Sequence, residues 1–187
     1  MQRWTQREIV VVATIGVVFG VLYLAWVQFW LLLQGLIGPI AMDIVFGFWC
    51  VASVIAAYSV RKPFAALFAE VAAAIAEITT GNPAGLILLL TGLVQGAGAE
   101  LPFALTRWKR YDTAVLVASG ISAAIFSFVY TWIRFKYCAL EPMLLVAMLA
   151  IRMASGIVLA GLLGRYLAKR LHATGVLNGL AIGEARG

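Results

Sequence analysis

The sequence predicts an all-α integral membrane protein of six transmembrane helices, with both termini on the cytoplasmic side (N-in/C-in). Three observations carry that reading. The chain of 187 residues is 64% hydrophobic and only 12% charged, against the roughly 25% charged of ordinary soluble domains, and its mean hydropathy is +1.00. Apolar runs near the roughly 20 residues that cross a bilayer recur along it. The basic residues sit at alternate ends of those runs instead of in one patch, so a net charge of +6 argues for positive-inside topology and against nucleic acid as a partner.

The first run, about 8–25, is preceded by Arg3, Arg7 and Trp4 and reads as a retained first span, because no cleavage site leads into a soluble domain. Gly35, Gly38 and Pro39 interrupt the uncharged stretch between this span and Asp43. The segment "WVQFWLLLQGLIGP" is therefore expected to be an outer loop or interfacial half-helix, with Trp26 and Trp30 at headgroup level. The second span, about 40–60, ends at Arg61-Lys62-Pro63. The third, about 64–80, ends in "TTGNPAG"; the fourth, about 84–107, in "RWKRY". The fifth covers about 112–135, and the sixth, about 143–168, comes after Glu141-Pro142. Residues 1–171 form the six-helix domain in this scheme and 172–187 a cytoplasmic tail. The cytoplasmic ends then hold ten of the basic residues, and the outer loops hold Arg134 and Lys136.

Ionisable groups in a membrane helix cost about 2.5–3.5 kcal/mol each at its centre, so each needs a partner or a role. Asp43 and Glu77 fall in the outer half, Gln95 and Arg152 near the middle, Glu70 and Glu100 nearer the cytoplasm. Glu77 has no basic residue at its depth and faces the side from which a solute arrives, so ligand contact is the leading reading. Glu70 reads first as internal glue with Arg152 or bundle hydroxyls, and the same reading stands for Glu100. Asp43 divides between ligand contact and capping of the second helix. In "TGLVQGAGAELPF", Gly96, Gly98 and Pro102 either break the fourth helix beside Gln95 and Glu100, as at transporter sites, or let neighbouring helices approach closely. The aromatics Tyr130, Trp132, Trp26, Trp30 and Trp49 form an outer belt; one or two of them in a pocket would suit a flat or cationic ligand. Ala13, Gly16 and Gly20 share one face of the first span, for internal packing or for docking a membrane partner.

No phosphate-binding loop, catalytic triad or metal-ligand spacing occurs, the lone His172 lies in the tail region, and Cys50 and Cys138 are expected to stay free. An enzyme is therefore not expected, nor a metal or other cofactor, and ATP-driven transport would need separate motor subunits.

The run "EVAAAIAEITTGNPAGLILLLTGLVQGAGAELPFALTRWKRYD", with its six-helix setting and small-residue first helix, resembles the substrate-binding (S) components of energy-coupling-factor vitamin transporters, most of all the YkoE type. The resemblance spans essentially the whole chain and is most specific over 63–112. It implies an outward-opening pocket for thiamine or its hydroxymethylpyrimidine precursor. It also implies a multi-pass protein of a prokaryotic cytoplasmic membrane, with a transmembrane coupling (T) subunit and cytoplasmic ATPases as partners. Docking through an Ala-x-x-x-Ala pattern has only near matches here, Ala13-x-x-x-Val17 and Gly16-x-x-x-Gly20. An aminopyrimidine suits a carboxylate and a thiazolium suits aromatic faces. On that basis Glu77 is the expected ligand carboxylate, Gln95 a hydrogen bonder, Trp132 or Tyr130 the stacking partner, and Asn82 a rim contact. Asp43, Glu100 and Trp26 are the further candidates. The rival classes are a stand-alone ion-coupled transporter relaying through Glu70, Glu77 and Glu100, and a structural subunit with no small ligand.

Overall fold

The structure, a computed structural model, describes residues 3–183, and among these every regular element is helical. Six helical rods alternate in direction: α1 Gln6–Ile37, α2 Ile40–Val60, α3 Ala65–Thr79, α4 Ile87–Leu105, α5 Thr113–Arg134 and α6 Pro142–Ala173. Five of them are long and apolar enough to cross a membrane. The exception is α3, whose 15 residues give a rise of about 22 Å, short of the roughly 30 Å hydrocarbon core.

Local chemistry sets the ends. Thr5 and Glu8 form a reciprocal capping box at the start of α1. The helix then runs without interruption to Ile37 and stops at Gly38, whose φ of 71° suits glycine. The expected outer loop or half-helix over 26–37 is thus the continuation of α1. Gly35 stays helical, and the chain turns only where Gly38 adopts a left-handed φ and Pro39 comes next.

In α2 every residue from Val51 to Val60 is buried, which makes it the axis of the bundle. Its Phe46–Cys50 stretch tightens to a 3₁₀ helix. Facing it, residues Gly156–Leu163 of α6 widen to a π-helix; Gly47 lies directly against Ser155 there, leaving no space for a side chain. Pro102 sits in the last turn of α4 without breaking it. Glycines instead let α4 approach its neighbours. A Cβ at Gly96 would lie 3.1 Å from that of Glu70, and one at Gly98 would lie 2.9 Å from the Ala123 Cα. Of the two readings of "TGLVQGAGAELPF", the structure has close packing. Asp112 caps α5, accepting from the Val115 amide at 3.2 Å.

The start of α1 and the segment around Asn178 lie together at one end of the bundle. The Arg7 guanidinium donates to the Asn178 carbonyl, and the Lys62 ammonium bridges the Arg3 carbonyl and the Glu8 carboxylate, each at 2.6 Å. Leu177 and Leu180, placed by the sequence in a tail, are instead buried in the core. The α1–α2, α3–α4 and α5–α6 turns occupy the opposite end.

Candidate functional site

At that opposite end, α1, α2 and α4 and the α3–α4 turn enclose a cavity of about 170 Å³. Each wall has a local cause. Because α1 continues past Val27, Trp30 and Leu31 come onto the same face as the buried Phe19, Tyr23 and Val27. Trp30 meets Trp49 of α2 edge-on, with ring centroids 6.1 Å apart at 80°, so two indoles form one side. The Trp30 indole N–H is buried and has no hydrogen-bond partner among the described residues. Met42, Leu88 and Thr91 add to the lining, and Arg134 and Phe135 close it from the end of α5.

The polar floor comes from the end of α3. Glu77, 6% exposed, lines the cavity together with Asn82 and Gln95. The Ala84 amide donates to Asn82 Oδ1 at 3.0 Å, so the Asn82 amide nitrogen is the end free to donate, and it does so to Glu77 Oε2 at 2.7 Å. One carboxylate oxygen of Glu77 is thereby held, and the other accepts from no side chain or amide among the described residues. Across the cavity, the Gln95 amide nitrogen donates to the Ser127 hydroxyl at 3.3 Å. The arrangement offers hydrogen-bond acceptors on a carboxylate and an amide beside flat aromatic walls, a setting for a small heterocycle that carries donors.

The remaining sequence candidates lie elsewhere. Tyr130 receives a hydrogen bond from the Thr91 hydroxyl at 3.2 Å and faces an outer groove beside Val94 and Ile133. Trp132 is 43% exposed on the outer surface. Trp26 packs on Phe48 with centroids 4.3 Å apart and donates to the Val45 carbonyl. None of these three lines the cavity; Trp30 and Trp49 take the place expected of Tyr130 or Trp132. The signal for Trp30 is its four-residue sequel to Trp26 along a helix that runs further than the glycines imply. Glu100 lies at the other end of the bundle. Its carboxylate accepts from the Phe64 and Ala66 amides at 2.8 and 2.9 Å and from the Trp108 indole at 2.6 Å. It caps the first turn of α3 from outside the helix, which has no side-chain cap of its own. Asp43 is wholly buried and accepts from Arg152 Nε at 2.6 Å; Pro39 holds the cap position assigned to Asp43. Arg152 is thus paired with Asp43 and not with Glu70 or Glu100. Glu70 accepts from the Ser53 hydroxyl at 2.6 Å, deep between α2 and α3. Gly16 and Gly20 are occupied by internal packing. A Cβ at Gly16 would lie 2.6 Å from the Ala69 carbonyl, and one at Gly20 would lie 2.7 Å from the Ala76 Cβ. Ala13 remains exposed, in a shallow surface groove with Trp4, Phe68 and Ala72.

Residues 7–126 match the family described as "ABC-type cobalt transport system, permease component". The chain is 46% identical over 184 residues to the "Putative HMP/thiamine permease protein YkoE" of Bacillus subtilis (strain 168), covering 98% of this chain and 92% of that protein. It also matches a solved structure described as an S-component of an ECF transporter. That match has a TM-score of 0.94 and 46% identity, over 97% of this chain and 92% of the other.

Proposed function

Because the chain belongs to this permease family and is a substrate-binding S component of the energy-coupling-factor type, we propose that its cavity captures thiamine or its hydroxymethylpyrimidine precursor for ATP-driven uptake. The observation that carries the reading is the meeting of Glu77, Gln95 and the Trp30–Trp49 pair around one space. Glu77 accepts from the ring's amino group beside the bond that it already accepts from Asn82. The Gln95 carbonyl accepts from the same amino group, the indoles hold one ring face, and Asn82 lies at the rim. At about 170 Å³ the space is below the roughly 300–1,000 Å³ of drug-sized pockets. One ring fills it, and a second ring extends past Arg134.

The cavity faces outward in this reading, and the end that carries Arg3, Arg7, Lys62 and Asn178 faces the cytoplasm, in keeping with its Arg and Lys content. A coupling T subunit docks on the α1–α3 face that includes Ala13, and ATPases act through it. The decisive experiment is mass spectrometry of protein purified without added ligand, followed by calorimetry with thiamine and with hydroxymethylpyrimidine. A co-purified pyrimidine and saturable binding support the reading; no binding of either compound ends it. A stand-alone ion-coupled transporter remains the rival. Its carboxylate relay is weakened by the position of Glu100, which sits at the far end with its oxygens bonded to amides. Proteoliposomes holding this chain alone separate the two, since gradient-driven uptake belongs only to the rival.

A further inference from the structure

We infer that Arg152 is a positioning residue for the ligand cavity: anchored by Asp43 and Thr131, it makes Ser127 a hydrogen-bond acceptor, and Ser127 in turn sets the Gln95 amide with its carbonyl oxygen toward the ligand. The inference rests on the reading of the cavity as a pyrimidine site and adds to it a determinant of specificity that does not touch the ligand.

The geometry is a chain of donors with one direction. Arg152 has no exposed surface. Its Nε donates to Asp43 Oδ1 at 2.6 Å and its Nη1 to Thr131 at 2.8 Å, and its guanidinium carbon lies 5.2 Å from the ring centres of both Phe46 and Phe128. A guanidinium can only donate. Its Nη1 also reaches the Ser127 hydroxyl, at 3.4 Å, so that oxygen accepts. The same oxygen accepts from Gln95 Nε2 at 3.3 Å. With its nitrogen engaged there, Gln95 keeps its carbonyl oxygen for the cavity that it lines. The cavity then reads as acceptor at both Glu77 and Gln95. An amino group meets two matching acceptors; a carbonyl in its place faces two oxygens.

A purely structural account fits less well. A buried ion pair is often no more stabilising than apolar residues of the same volume. This one also leaves Asp43 Oδ2 and Arg152 Nη2 without partners among the described residues, a further cost. What the pair does achieve is to tie α2, α5 and α6 together directly behind Gln95.

The test compares thiamine with oxythiamine, in which the ring amino group is replaced by a carbonyl, by calorimetry on the full-length purified chain. The proteins are the wild type, Ser127→Ala and Arg152→Lys. Ser127→Ala removes one hydroxyl and leaves the Asp43–Arg152–Thr131 contacts in place. Arg152→Lys keeps the charge opposite Asp43 but loses the fork that reaches Ser127. The wild type should prefer thiamine by at least roughly tenfold, and in both variants that ratio should fall several-fold, because the freed Gln95 amide can turn its nitrogen to the carbonyl. A general loss of packing lowers both affinities together and leaves the ratio in place. An unchanged ratio in folded Ser127→Ala overturns the inference, as does a wild type that binds both compounds equally; the pyrimidine reading survives either result. A wild type that binds neither compound removes that reading and the inference with it.

Discussion

Two carboxylates seven residues apart on one face of α3 have different surroundings. Glu77 keeps one oxygen toward a cavity, while Glu70 is enclosed between α2 and α3 with Ser53 as its partner. Replacing Glu77 by Gln should weaken thiamine binding by roughly a hundredfold, the worth of a charge-assisted hydrogen bond, and unchanged affinity in calorimetry would remove it from the site. Glu70→Gln should leave affinity within a few-fold while shifting the melting temperature; a binding defect at constant melting temperature would reverse the two roles. Depth along the chain distinguished these residues in the sequence, while Gln95 was singled out beside a suspected helix break and Asn82 in the turn after the third span; Glu77, Asn82 and Gln95 all line the cavity. Depth says nothing of azimuth. Tyr130 and Trp132 lie near the end of α5, close to cavity-lining Arg134 in sequence, yet point to its outer side. The Asp43–Arg152 pair joins positions 109 apart, and no local pattern announces such a partner.

At the scale of elements, the expected starts of the fifth and sixth spans, about 112 and 143, fall beside Asp112, which caps α5, and Pro142, which opens α6. The end of α1 was not, because Gly35 and Gly38 look alike in sequence and only Gly38 adopts a left-handed φ. The contact between α1 and α3 depends on Gly16 and Gly20. Valine at Gly20 should cost about 1–3 kcal/mol or more, since its Cβ would press on the Ala73 carbonyl and the Ala76 side chain. A melting temperature unchanged by Gly20→Val would refute that packing. Glu100→Ala should cost about 1–2 kcal/mol by uncapping α3, with ligand affinity retained; loss of affinity in a protein of unaltered stability would return Glu100 to the site. Ala13→Trp should abolish assembly with the coupling subunits while thiamine binding persists, and normal assembly would move the docking face elsewhere.

For the whole molecule, orientation is the quantity to measure. Cys138 is free and exposed in the α5–α6 turn, at the cavity end, whereas Cys50 is buried in α2. A membrane-impermeant maleimide applied to intact cells should label Cys138, and labelling only after lysis would invert the proposed topology. The unequal rods of the bundle bear on the chemistry as well as on the shape. Beside a hydrocarbon layer of about 30 Å, the 15-residue α3 cannot reach both headgroup regions, so an end of it lies within the low-dielectric slab. In the proposed orientation that is the cavity end, and a charge at Glu77, two residues before Thr79, is screened less there than among the lipid headgroups: two unit charges 4 Å apart attract by roughly 1 kcal/mol in water and about 4 kcal/mol at an effective dielectric of 20. Two more turns of helix before Glu77 would lift it into water and dilute its pull on the cationic ring of the proposed ligand. The truncation of one helix thus acts as a dielectric setting, by which chain length governs how strongly a charge is felt.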